Sequence, residues 1–161
     1  MADAVDAASI WKTLKAHPIT MFTTMQGERL VSRPMAGYVR EDEGRIYFLT
    51  RFESEKTREV EDDSQVNLAY ADPKGNTYIS VAGTARASQD RAKIRELWNK
   101  DAEAWLPDGP DAPDTGLITV NPDDAVIWDS TSSRIVHALK LVTAIATQTP
   151  PDTGRVSKVD L

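Results

Sequence analysis

The sequence contains no cysteine. That absence excludes disulfides, thiol nucleophiles, iron–sulfur clusters and cysteine-bound zinc. Histidine is nearly missing too: only His17 and His137 occur, and neither falls in a metal-ligand spacing such as H-E-x-x-H. No Walker loop, G-x-G-x-x-G fingerprint or G-x-S-x-G elbow is present. Hydrolytic and metal-dependent chemistry therefore has no support from motifs, and no metal site is expected. No apolar run reaches the ~18–20 residues of a membrane span. The segment Met1-Ala2-Asp3-Ala4 lacks the basic and apolar regions of a signal peptide. A cytoplasmic protein without a membrane partner is the expectation. Positive charge is in deficit, with 19 Lys and Arg against 25 Asp and Glu and a formal net charge of −6. That balance repels phosphate backbones, so no nucleic-acid partner is expected.

What is there suits one domain with a tail. The chain has 161 residues, 40% hydrophobic and 27% charged. A domain over residues 1–148 and a flexible tail over 149–161 are expected, because the residues from Thr149 onward are polar and carry proline. The periodicity predicts a helix over 3–17, with Ile10, Trp11 and Leu14 on one face and Pro18 ending it. Strands are predicted at 19–24, 30–39 and 45–50. Pro34 interrupts the second, so that strand should lie at an edge or open there. A helix over 54–62 starts at the N-cap candidate Ser54. Strands at 66–71 and 78–88 flank the turn Asp72-Pro73-Lys74-Gly75-Asn76, and Gly83 marks a bulge. A helix over 90–104 and strands at 117–120, 125–129 and 134–147 complete the pattern. Many strands, short turns and a few helices argue for a mainly β fold: a β-barrel decorated with helices.

The informative stretch is 31–60. Two strands bring Val31-Ser32-Arg33-Pro34-Met35 and Tyr47-Phe48-Leu49-Thr50 close to a helix opening with Ser54-Glu55-Lys56. Arg33 and Lys56 supply positive charge, Thr50 and Ser54 supply hydroxyls, and the helix start supplies free N–H groups. This suits a terminal phosphate. Pro34 and Met35 could leave strand backbone free for the edge of a flat ring. The same residues admit a plainer reading: Arg33 pairs with a carboxylate, Ser54 caps, and Lys56 is solvated. The run Glu59, Glu61, Asp62, Asp63 reads as a helix end and turn. Of the tryptophans at 11, 98, 105 and 128, Trp105 has the best functional claim, since it is expected in an Asp/Pro-rich loop.

Seven short motifs in one order point further. R-P-M at 33–35, F-L-T at 48–50 and S-x-K-x-x-E-V from Ser54 come first. Tyr78-Ile79-Ser80-Val81-Ala82-Gly83-Thr84-Ala85, the Asp90-Arg91 to Glu96-Leu97-Trp98 helix, Trp105-Leu106-Pro107-Asp108-Gly109-Pro110 and Trp128-Asp129 follow. Together, over about residues 8–147, they resemble the general stress protein 26 branch of the pyridoxamine 5′-phosphate oxidase-like flavoproteins. The resemblance implies a homodimeric split β-barrel with FMN at the subunit interface; FAD and deazaflavin are the alternatives. Carried over, Arg33, Pro34 and Met35 would contact the ring and phosphate side. Phe48, Leu49 and Thr50 would line the ribityl chain and ring. Ser54 and Lys56 would hold the phosphate, Tyr78 would reach a partner subunit's cofactor, and Trp105 would lie beside the ring.

One departure matters. The B6 oxidases carry W-x-x-x-x-x-R-L-H-D-R. Here Trp128 and Arg134 keep the spacing, but Val136 replaces the histidine and Ala138 the last arginine. His137 falls one residue late, onto the opposite strand face. Vitamin B6 oxidase activity is therefore not expected. No side chain stands out as a catalytic acid or base. Three functions remain: an FMN oxidoreductase passing hydride or electrons between NAD(P)H and a small acceptor, a non-catalytic flavin store or sensor, and an interaction barrel without flavin.

Overall fold

The computed structural model describes residues 5–129 and 155–161. Helix α1 (Ala7–Ala16) opens at Asp6, whose carboxylate accepts from the Ser9 backbone N–H at 2.8 Å. It buries Ile10, Trp11 and Leu14, the face the periodicity marked. Strands β1 (Ile19–Gln26) and β2 (Arg29–Ala36) form a hairpin, followed by β3 (Tyr38–Arg40) and β4 (Arg45–Arg51). Helix α2 (Glu55–Asp62) leads to β5 (Gln65–Asp72) and β6 (Thr77–Ser88). Helices α3 (Arg91–Leu97) and α4 (Lys100–Trp105) precede β7 (Thr115–Asp129), and β8 is Arg155–Asp160.

All the pairings are antiparallel, in the order β2-β1-β5-β6-β7-β4-β3. Strand β7 serves two neighbours along one side. Its Thr115–Val120 half pairs with β4, and its Asp124–Asp129 half pairs with β8. The sheet curls far enough to bring β2 back against β4. Strand β2 has a ladder partner, β1, on one side among the described residues, the edge position at which Pro34 is tolerated. The enclosed core holds Phe22, Phe48, Leu68, Ile118 and Val120, each fully buried. Phe22 and Phe48 meet edge to face, with centroids 5.0 Å apart. A smaller apolar cluster, Tyr47, Ile94, Leu97 and Leu117, fastens α3 to the outside of β4 and β7.

Gly83 sits at the expected irregularity. Ala82 faces Asp124 while Gly83 faces Pro122, so Asp123 is left over. A Cβ on Gly83 would fall 2.3 Å from the Asn121 carbonyl oxygen, so the site excludes any side chain.

Three expectations are corrected. The helix expected over 90–104 is two helices. Trp98 and Asn99 adopt extended backbone, and the Asn99 side chain accepts from the Ala102 N–H at 2.9 Å, starting α4 anew. The strands expected at 117–120 and 125–129 are one strand, because the polar Asn121–Asp124 stretch coincides with the bulge, where proline is accommodated. The tail expected to be loose carries β8 over Arg155–Asp160. Its Val159 and Leu161 pack against the core, and Lys158 pairs with Asp124 at 3.0 Å. The strand expected at 134–147, and with it Arg134, Val136, His137 and Ala138, lies outside the described residues.

Candidate functional site

Where β2 returns against β4, the two edges leave a cleft of about 450 Å³, within the ~300–1,000 Å³ typical of small-molecule sites. Strand β2 contributes Arg33, Pro34, Met35 and Ala36, and β4 contributes Leu49, Thr50 and Arg51. Lys56 enters from α2, and α4 lays Asp101, Ala102 and Trp105 along another wall. The walls are mostly apolar, and the charged groups sit at defined places.

Three cations line the cleft, and they are not equivalent: Arg51 is mostly exposed and pairs loosely with Asp114 at 3.5 Å, whereas Arg33 and Lys56, at the α2 end, are the more buried two. Arg33 is anchored: its Nη2 lies 2.6 Å from the Glu59 carboxylate, and its Nη1 donates to Thr24 Oγ1 at 2.6 Å. Glu59 is buried and also accepts from Thr24 at 2.5 Å and from Gln26 at 3.1 Å. Burial alone would raise its carboxyl above the ordinary range. The Thr24 hydroxyl, the Arg33 guanidinium and Gln26 outweigh that and hold it below. Lys56 is half-buried one helical turn before Glu59, and among the described residues its ammonium makes no contact ion pair. Burial first, and repulsion from Arg33 second, push its pKa down, against a smaller pull from Glu59. The cleft thus holds a cation that no described carboxylate meets in contact.

At the other end Tyr38, at the start of β3, points its hydroxyl toward Asn99, and Asp101 lies close enough for its charge to act on the phenol. Burial, and to a lesser degree Asp101, raises the Tyr38 pKa, against the Asn99 hydrogen bond. Trp105 lies one turn along α4 from Asp101 and is 82% exposed. Its indole stands in solvent where it lines the cleft.

Of the residues singled out from sequence, Arg33, Pro34, Met35, Leu49, Thr50, Lys56 and Trp105 all line this cleft. Phe48 does not. Side chains alternate along a strand, so with Leu49 toward the cleft, Phe48 turns into the core, where it is fully buried. Ser54 precedes α2 but makes no side-chain cap; its hydroxyl pairs with Thr57 Oγ1 at 2.7 Å. Tyr78 stands on β6 opposite Trp128, away from the cleft lining and 42% exposed. The sequence reading missed Tyr38, Arg51, Asp101 and the buried role of Glu59. Two of these were within reach. Asp101 precedes Trp105 by four residues and Glu59 follows Lys56 by three, the spacings that share a helix face.

Architecture and site together define a class: a curled antiparallel sheet whose helices and free edges frame an apolar cleft ending in an uncompensated cation. The family model "Pyridoxamine 5′-phosphate oxidase like" matches residues 5–152, and the chain belongs to that family. Protein bli-3 of Neurospora crassa is 26% identical over 157 residues, covering 91% of this chain and 75% of that protein. General stress protein 26 of Bacillus subtilis is 27% identical over 114 residues, 69% of this chain and 79% of its own. The crystal structure of the general stress FMN/FAD binding protein from Xanthomonas citri aligns with a TM-score of 0.69 at 28% identity, covering 77% of this chain and 88% of that one.

Proposed function

We propose that the cleft binds FMN and that the protein uses it to pass hydride or electrons between NAD(P)H and a small acceptor. The observation that carries this reading is Lys56: a half-buried cation with no contact ion pair among the described residues, beside Arg33, at one end of an apolar cleft. A desolvated ammonium is costly unless an anion meets it, and a terminal phosphate is such an anion. The donor set fits the cofactor. Lys56 and the outer side of Arg33 would take the phosphate, with Glu59 and Thr24 fixing the guanidinium's orientation. Met35, Pro34 and Leu49 form an apolar bed for a planar ring and keep water from one of its faces. Bound flavin would supply reversible one- and two-electron transfer. The family membership and the Xanthomonas citri relative, an FMN/FAD binding protein, support the flavin-binding half of this reading.

The proposal includes a homodimer. Ile19, Met21, Tyr78, Trp128 and Val156 are all exposed, and the register sets Tyr78, Trp128 and Val156 side by side across β6, β7 and β8. Ile19 also lines the cleft, so this apolar face runs up to the site. A second copy covering it would bring its own residues, Tyr78 among them, toward a flavin that the single-chain cleft leaves open.

Two comparisons test the reading. FMN should bind at least tenfold more tightly than riboflavin, which lacks the phosphate; equal affinities would remove Lys56 and Arg33 from the account. Anaerobic NADH or NADPH should then bleach the bound flavin. Binding without bleaching by either would leave a flavin store or sensor and overturn the oxidoreductase half.

A further inference from the structure

The α4 wall of the cleft carries chemistry that the flavin phosphate does not use. Asp101, Trp105 and Tyr38 line one side of it. They lie toward the end where β2 runs on into β3, and the cations Arg33 and Lys56 lie toward the α2 end. Arg33 and Tyr38 are five residues apart, at most about 17 Å of extended chain at ~3.3 Å per residue, with Gly37 between β2 and β3. Among the described residues Asp101 has no ion-pair partner, although the neighbouring salt bridges of α3 and β3 are well populated. An exposed aromatic face and a second, partly buried ring flank this carboxylate. Ring faces attract cations through their quadrupole, and the carboxylate adds a full negative charge on the same side. An anionic substrate would meet that charge directly.

We infer that the second ligand of this cleft is a planar, cationic nitrogen heteroaromatic, of the N-alkylpyridinium kind, held by the aromatic faces of Trp105 and Tyr38 with Asp101 as its counter-charge. The inference rests on the flavin reading only in calling that ligand a substrate or product. The oxidised nicotinamide ring belongs to this class, whereas a phosphorylated pyridine does not. The two ends of the cleft thus sort ligands by charge: an anion at Lys56, a cation or neutral ring at Asp101.

Equilibrium dialysis of the full chain decides it, with FMN and without, using three probes of nearly one shape: 1-methylnicotinamide (cation), nicotinamide (neutral) and nicotinate (anion). The expected order of affinity is cation, then neutral, then anion. Asp101→Asn should weaken the cation about five- to tenfold, leave nicotinamide within twofold and improve nicotinate. Trp105→Ala should weaken cation and neutral ring alike. If Asp101→Asn shifts all three probes equally, or the parent prefers nicotinate, the inference is wrong. Flavin retention is read separately by absorbance, so a protein that loses FMN yet still sorts the probes by charge sinks the flavin reading alone.

Discussion

Replacing Lys56 by methionine should make the protein more stable and nearly unable to hold FMN. Methionine keeps an unbranched apolar stem of similar reach, so the packing of α2 against the cleft is preserved. What disappears is an ammonium that burial and Arg33 both oppose. Removing that conflict should stabilise the flavin-free protein by about 0.5–1 kcal/mol, the low end of what relief at a functional site returns. The same change removes a charge-assisted contact to phosphate, worth about 1.5–3 kcal/mol, which corresponds to roughly 10- to 150-fold weaker FMN binding. Riboflavin affinity should not move. The pH dependence carries a further sign. Lys56 has a lower pKa folded than unfolded, so the unfolded chain holds the extra proton between the two values. Stability should therefore rise with pH as the solution approaches the ordinary lysine range near ~10.4, and Lys56→Met should flatten that rise. Urea denaturation across pH and flavin fluorescence titration give all three numbers. A variant that binds FMN as the parent does, or that loses more than about 1 kcal/mol of stability, would refute the reasoning.

Glu59→Gln should destabilise the protein by about 2–4 kcal/mol at neutral pH, since it leaves the Arg33 guanidinium facing a neutral amide in a mostly buried place. Glu59 titrates lower in the folded state, so its contribution is complete above the ordinary value of ~4.3 and fades as pH falls through the folded value; a stability gap between parent and variant that is the same at low and neutral pH would count against this. Gly83→Ala should cost at least about 2 kcal/mol in urea melts, because the new Cβ meets the Asn121 carbonyl backbone, which has no rotamer to turn away. Tyr78→Asp combined with Trp128→Asp should convert a dimer to a monomer in sizing with light scattering, and a parent that is already monomeric would remove the dimer proposal.

Much of this was legible in local pattern. Pro34 marked an edge, Gly83 a bulge, and the strand–helix run 31–60 held six of the seven singled-out residues that line one cleft, Trp105 being the other. What was not legible depended on distant partners. Phe48 and Leu49 are equally apolar, and only the closure of β2 against β4 decides which of them faces the cleft. Glu59 reads as one more acid at a helix end until β1 places Thr24 and Gln26 against it. The Arg155–Asp160 segment is short and half polar, and it becomes a strand because β7 outruns β4 and leaves a free edge beside Asp124–Asp129. The break at Trp98 and Asn99 was the exception. An asparagine three residues before Ala102 is a local capping signal, overridden in the reading by the apolar stripe on either side.

The central claim is that the cleft holds a flavin by its phosphate. Its most direct test is the visible absorption spectrum of the purified protein after incubation with FMN and removal of the excess by desalting. The account predicts flavin bands that stay with the protein, in proportion to its concentration, and that are lost in Lys56→Met. A colourless parent protein after the same treatment would contradict it.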